Sequence, residues 1–163
     1  MFISEAQDNR YTYSTQKMGS PFNLVLYADT KQIADSAAQE SFRLVDSINL
    51  ICSDYDSTSE LFKLRYSVVG LPVSVSPILF ELLYVAKAAN KDAYGSFDIT
   101  VGPLSRLWRN ARKSQQFPTN GAINTARNRI GFNKVQLDSA AQTITFLQPN
   151  MKLDMGGIAK GYA

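Results

Sequence analysis

Residues 11–18 and 22–27 are rich in β-forming side chains and are joined by Gly19-Ser20-Pro21, a pattern that predicts a β-hairpin. A helical period follows. Ile33, Ala37, Phe42, Val45 and Ile48 recur at close to 3.6 residues, and Asp29 or Thr30 can cap a helix running to about Leu50. Ser57 and Glu60 have the spacing of a capping box for a short helix through about Leu64. Gly70-Leu71-Pro72 turns the chain into a short strand at 73–75. Ser76-Pro77 then opens a helix, a cap followed by proline at the first helical position. Ile78, Leu82, Leu83, Val85, Ala86 and Ala89 make that helix apolar over much of its circumference, so it should be central.

Further on, Phe97, Ile99 and Val101 alternate with Asp98 and Thr100, which predicts a strand with an acid and a hydroxyl opposite its apolar face. Gly102-Pro103 ends it and starts a helical turn leading to Leu107 and Trp108. A polar loop over 111–121 and a modest helix to about Arg129 come next. Residues 132–137 and 143–147 read as a hairpin around Ser139-Ala140-Ala141. Leu153 and Met155, alternating with Lys152 and Asp154, read as a last strand before Gly156-Gly157 and the helix start Ile158-Ala159-Lys160. Residues 1–10 are polar and expected to fray. The order of elements is that of an α+β fold, antiparallel hairpins with packed helices, without internal repeat or linker.

At 163 residues and 45% hydrophobic content the chain can bury a real core. The net charge of +3 is spread along it, so nucleic-acid binding is not suggested. Arg106, Arg109, Arg112 and Lys113 form one basic cluster, read here as a solvated helix face. There is no histidine, which excludes Ser-His-Asp and Cys-His catalysis within these residues. The single cysteine, Cys52, lies on the apolar side of a helical pattern and is read as a small core residue. Any metal must therefore be held by oxygen, which points to magnesium or calcium. No apolar run is long enough to span a bilayer.

The glycine corner at 152–163 carries the candidate chemistry. A strand, two glycines and a helix start leave unpaired backbone N–H groups where no Cβ obstructs a ligand. Such a place suits an anion, with Lys160 and Asp154 close by in sequence. The same residues also describe a plain strand–turn–helix corner with a surface lysine. Tyr55, on a polar loop, can stack on a flat ligand or simply cover the core.

Four stretches in order resemble the ApbE family of flavin transferases, FAD:protein FMN transferases. They are Met18-Gly19-Ser20; Ser53-x-Tyr55 with Ser59-Glu60-Leu61; residues 96–104, Ser-Phe-Asp-Ile-Thr-Val-Gly-Pro-Leu, with Trp108; and Leu-Asp-Met-Gly-Gly-Ile-Ala-Lys-Gly-Tyr at 153–162. The resemblance runs from about residue 11 to the end and matches the amino-terminal part of a family member. It implies an ApbE-like (T-fold-like) α+β layer and a protein that cleaves FAD at its pyrophosphate. The FMN half then passes to a Ser or Thr of an acceptor flavoprotein. By the same resemblance Met18, Tyr55, Ser96, Phe97, Asp98, Asp154 and Lys160 contact the flavin nucleotide, and the Gly157 carbonyl is one magnesium ligand. The remaining metal ligands and the catalytic base are expected outside these residues, in a carboxy-terminal part of the domain, and these residues alone are expected to be inactive. FAD as substrate, Mg2+ as cofactor, a location in the periplasm or on the outer face of the cell membrane, and a lipoprotein anchor outside the chain are further implications. An FAD-binding protein without transferase activity and a non-catalytic fragment are the alternatives.

Overall fold

The computed structural model describes residues 9–163, and residues 1–8, expected to fray, lie outside what is described. Asn9 and Arg10, expected to fray, belong instead to the first strand. The chain divides into two compact units, one ending at Asn49 and the other comprising Leu50–Tyr162.

In the first unit β1 (Asn9–Lys17) and β2 (Ser20–Ala28) form an antiparallel hairpin, in register from Asn9 opposite Ala28 to Lys17 opposite Ser20. The turn is tighter than the Gly-Ser-Pro link that the sequence suggests. It consists of Met18 and Gly19, both at positive φ (49° and 74°), while Ser20 and Pro21 already belong to β2. A two-residue turn with positive φ at both positions matches the right-handed twist of its strands. α1 (Lys31–Cys52) follows, and Thr30 caps it: its Oγ1 accepts the Ile33 N–H and its carbonyl the Ala34 N–H. The buried stripe of α1 is Ala34, Ala38, Val45, Ile48 and Cys52, whereas Ile33 is exposed. Small alanines hold the inward phase at the start, one residue away from the larger Ile33 on which the sequence pattern is anchored. Tyr13 donates to Asp35 and Lys17 pairs with Asp46, fastening α1 to the hairpin.

The second unit starts at Leu50, in the last turn of α1, and its next helix is α2 (Glu60–Lys63). Its cap is Ser59, which accepts the Phe62 N–H, rather than Ser57. Glu60 reaches across the fold instead, accepting from the Ser76 N–H at 2.5 Å and the Ser76 hydroxyl at 2.6 Å. Those bonds anchor the start of α3 (Pro77–Asp92), which buries Leu79, Phe80, Leu82, Leu83 and Ala86 as the central helix. β3 (Val73–Ser74), β4 (Val135–Asp138) and β5 (Thr143–Phe146) make an antiparallel sheet in the order β3-β5-β4. Ile144, the middle of this sheet, is completely buried.

Two predicted strands do not form. Residues 99–101 are a turn of 3₁₀ helix that runs directly into α4 (Gly102–Ser114). The cause is Asp98, whose Oδ1 accepts both the backbone N–H (2.8 Å) and the hydroxyl (2.7 Å) of Thr100. An aspartate that bonds its own chain two residues on offers the backbone an alternative to a ladder. Thr100 is consequently fully buried, not on an outer face, and its Oγ1 also accepts the Gly131 N–H. The extended stretch at 151–155 keeps the predicted alternation, with Met151, Leu153 and Met155 buried, but joins no sheet. Its Asp154 N–H bonds the Ile99 carbonyl at 2.7 Å, and a neighbouring 3₁₀ turn cannot continue a ladder. α5 (Asn120–Arg127), capped by Thr119, and α6 (Ala159–Tyr162) complete the unit.

Candidate functional site

Gly102 lets the start of α4 lie against the 151–155 stretch. A Cβ there would stand 2.5 Å from the Lys152 carbonyl oxygen, so only glycine permits the approach. The approach sets Asp154 over the first turns of α4. Ser105 and Arg109, one turn apart on that helix, both donate to Asp154 Oδ2, at 2.7 and 2.8 Å. The Gly156 N–H donates to Oδ1 at 2.9 Å. Both oxygens of this half-buried carboxylate are therefore engaged, and its position is fixed.

Arg109 is the junction. The same Nη2 lies 2.5 Å from Asp54 Oδ2, and the guanidinium rests 4.3 Å from the centre of the Tyr55 ring. Burial works against its charge, but the Asp54 hydrogen bond and the charges of Asp54 and Asp154 prevail and raise its pKa. Tyr55, itself 74% exposed, is thus held by a cation–π contact on its face.

A cavity opens on each side of this junction. One, of about 510 Å³, is lined by Ser96, Phe97, Asp98, Asp154 and Gly157 among others. Here Asp98 caps the 3₁₀ turn through Oδ1. A Cβ on Gly157 would meet the Phe97 ring at 3.1 Å, so the glycine leaves the space in front of that ring free. The other, of about 370 Å³, has Tyr55 on its wall together with a face of α4.

The structure therefore gathers five of the residues singled out from the sequence, Ser96, Phe97, Asp98, Asp154 and Gly157, around one concavity. Tyr55 borders the neighbouring cavity. Lys160 stands exposed on α6 and lines neither of the two. Met18 occupies the hairpin turn of the first unit. The sequence reading missed Arg109 and Ser105. It assigned Arg109 to a solvated basic face, and nothing in the helical pattern of α4 reveals a carboxylate partner 45 residues away.

Among the described residues no three acidic or thiol side chains converge as metal ligands. Gly157 offers a carbonyl and Asp98 a carboxylate, donors suited to magnesium but too few to hold it by themselves.

The ApbE family model matches residues 18–163, and the chain belongs to that family. The FAD:protein FMN transferase of Klebsiella pneumoniae is 33% identical over 159 residues, covering 95% of this chain and 48% of that protein. That of Chlamydia muridarum is 30% identical over 152 residues, covering 90% and 47%. Among solved structures, the flavin transferase ApbE from Vibrio cholerae superimposes with a TM-score of 0.81 at 25% identity, over 95% of this chain and 50% of that one. The ApbE protein of Thermotoga maritima gives 0.85 at 25% identity, over 94% and 50%. The α+β arrangement of helices and antiparallel strands is the one these structures share, and the chain spans about half the length of the curated relatives it matches.

Proposed function

We propose that the protein takes part in FAD:protein FMN transfer, with the flavin nucleotide held in the cavity of Ser96, Phe97, Asp98, Asp154 and Gly157. The observation that carries this reading is the convergence of an aromatic ring, a glycine without side chain and a fixed carboxylate on one concavity, in a chain of the ApbE family. Phe97 supplies a flat apolar wall for a ring system, Gly157 allows close approach of a phosphate, and Asp154 accepts hydrogen bonds at a fixed point. Met18, Tyr55 and Lys160 belong to the same reading through the family resemblance and not through this cavity.

In the reaction a Ser or Thr hydroxyl oxygen of the acceptor flavoprotein bonds to the phosphorus of the FMN half. The pyrophosphate P–O bond to the other half breaks, the hydroxyl proton is lost, and AMP leaves. Magnesium, when bound, would neutralise charge on the pyrophosphate, the usual contribution of a metal to phosphoryl transfer. A location in the periplasm or on the outer face of the cell membrane goes with this reading, and cell fractionation checks it.

The test is mass spectrometry of the chain extended to the length of its curated relatives, incubated with FAD, Mg2+ and a Ser/Thr-bearing acceptor peptide. A gain of one FMN on the peptide is the expected result. FAD bound but intact would replace transfer by binding alone, and no binding at all would remove the flavin reading.

A further inference from the structure

We propose that the second cavity, between the basic face of α4, Arg65 and Lys152, is a binding site for a compact phosphate-bearing small molecule. Arg106, Arg109, Asn110 and Lys113 stand at i, i+3, i+4 and i+7 on α4 and so share one helix face toward the cavity. Gly102, on the same face, draws the Lys152 backbone in and places its side chain beside Arg106. Arg65 closes the wall from the 3₁₀ turn after α2. Its guanidinium is stacked 3.2 Å above the Phe62 ring, and Nη2 donates to the Asp54 carbonyl at 3.2 Å.

Among the described residues six cations thus line the cavity, and the one acidic side chain on its wall is Asp54, already paired with Arg109. Among the described residues, Arg65, Arg106, Arg112, Lys113 and Lys152 make no ion pair with a carboxylate. Arg129 adds a further positive charge across an adjoining cavity that shares Arg106 and Lys152. Arg65 Nε is shut away from solvent and has no hydrogen-bond partner among the described residues. Burial, and then the charges of Arg106, Arg65 and Arg129, depress the pKa of Lys152. Like charges crowded into a concavity repel one another unless an anion joins them.

The shape of the cluster selects the anion. The cations surround one concavity of about 370 Å³ and do not extend as a stripe along a surface, so a small polyvalent anion can touch several at once. Arginine forks match the oxygens of a phosphate two at a time. This cavity shares no lining residue with that of Phe97 and Gly157, but Tyr55 on its wall belongs to the flavin reading and its Arg109 holds Asp154, so competition by FAD is part of the test.

The experiment is calorimetric titration of the protein with inorganic phosphate, pyrophosphate and ribose 5-phosphate, against chloride at matched ionic strength. At least one of the three phosphates should bind saturably. Arg106→Gln and Lys152→Gln should each weaken it about 10- to 150-fold, the loss expected for a hydrogen bond to a charged partner. Arg106→Lys should recover part of the affinity, and thermal melting confirms that each variant is folded. Tighter binding of the ester than of inorganic phosphate would identify a phosphorylated metabolite as the ligand, and the reverse would identify free phosphate. Four results would overturn the proposal, the first three on phosphate binding itself. Those three are no saturable binding up to about 10 mM, an equal signal from chloride, and full affinity in both folded glutamine variants. Displacement of the phosphate by FAD would also overturn it, because the cavity would then belong to the flavin site.

Discussion

Arg109→Ala tests the junction on which the candidate site rests. The arginine holds two carboxylates at once, Asp54 at 2.5 Å and Asp154 at 2.8 Å, in a partly buried setting where the three side chains are 24%, 15% and 18% exposed. A hydrogen bond between charged partners contributes roughly 1.5–3 kcal/mol, and an unpaired carboxylate left behind adds a desolvation cost. The cation–π contact with Tyr55 contributes about 0.5–1 kcal/mol more. Solvent reaches all three groups, so the lower end of each range applies, and the two hydrogen bonds and the ring contact come to about 3.5 kcal/mol. In a chain of this size that corresponds to a fall in Tm of about 7–14 °C. Arg109→Lys keeps the charge but loses the fork, and should recover about half.

The sharper measurement is a double-mutant cycle with Asp154→Asn, followed by thermal melting. If the arginine works through Asp154, its removal should cost at least about 1 kcal/mol less in the Asp154→Asn background. A Tm within about 2 °C of the parent, or equal costs in both backgrounds, would show that the junction is not what positions Asp154.

Two further outcomes follow from single groups. Gly102→Ala puts a Cβ 2.5 Å from the Lys152 carbonyl oxygen, a backbone atom that cannot swing away. Overpacking of that kind costs about 1–3 kcal/mol, and the melting temperature should drop while an alanine at the unobstructed Gly161 leaves it nearly unchanged. Asp35 has its pKa lowered from the ordinary 3.8, first by the Lys31 hydrogen bond and then by that from Tyr13. A depressed folded value means that its contribution to stability is present above about 3.8 and fades as pH falls through the folded value. Lys31→Met should bring the Asp35 titration, followed by NMR, back toward 3.8; an unchanged midpoint would remove Lys31 as the cause.

Much of this protein is written locally. The Met18-Gly19 hairpin, the caps at Thr30, Ser76 and Thr119, and the period of α3 need only neighbouring residues, because turn geometry, capping and amphipathicity act over three or four positions. The burial alternation at 151–155 was legible for the same reason, as was the glycine corner, whereas Phe97 entered the candidate site through the family resemblance. What the alternation could not say is whether a partner strand exists. At 97–101 a single Asp98 side chain turned the backbone into a 3₁₀ helix, and so the 151–155 stretch stayed unpaired. The basic residues of α4 carry the same lesson. On a helical projection Arg109 and Arg106 are equivalent members of a polar face. Only the fold brings Asp54 and Asp154 to the first and leaves the second in a concavity with Lys152. Charge pairing between residues tens of positions apart depends on where the chain returns, and here that return is decided by one backbone-to-backbone approach at Gly102.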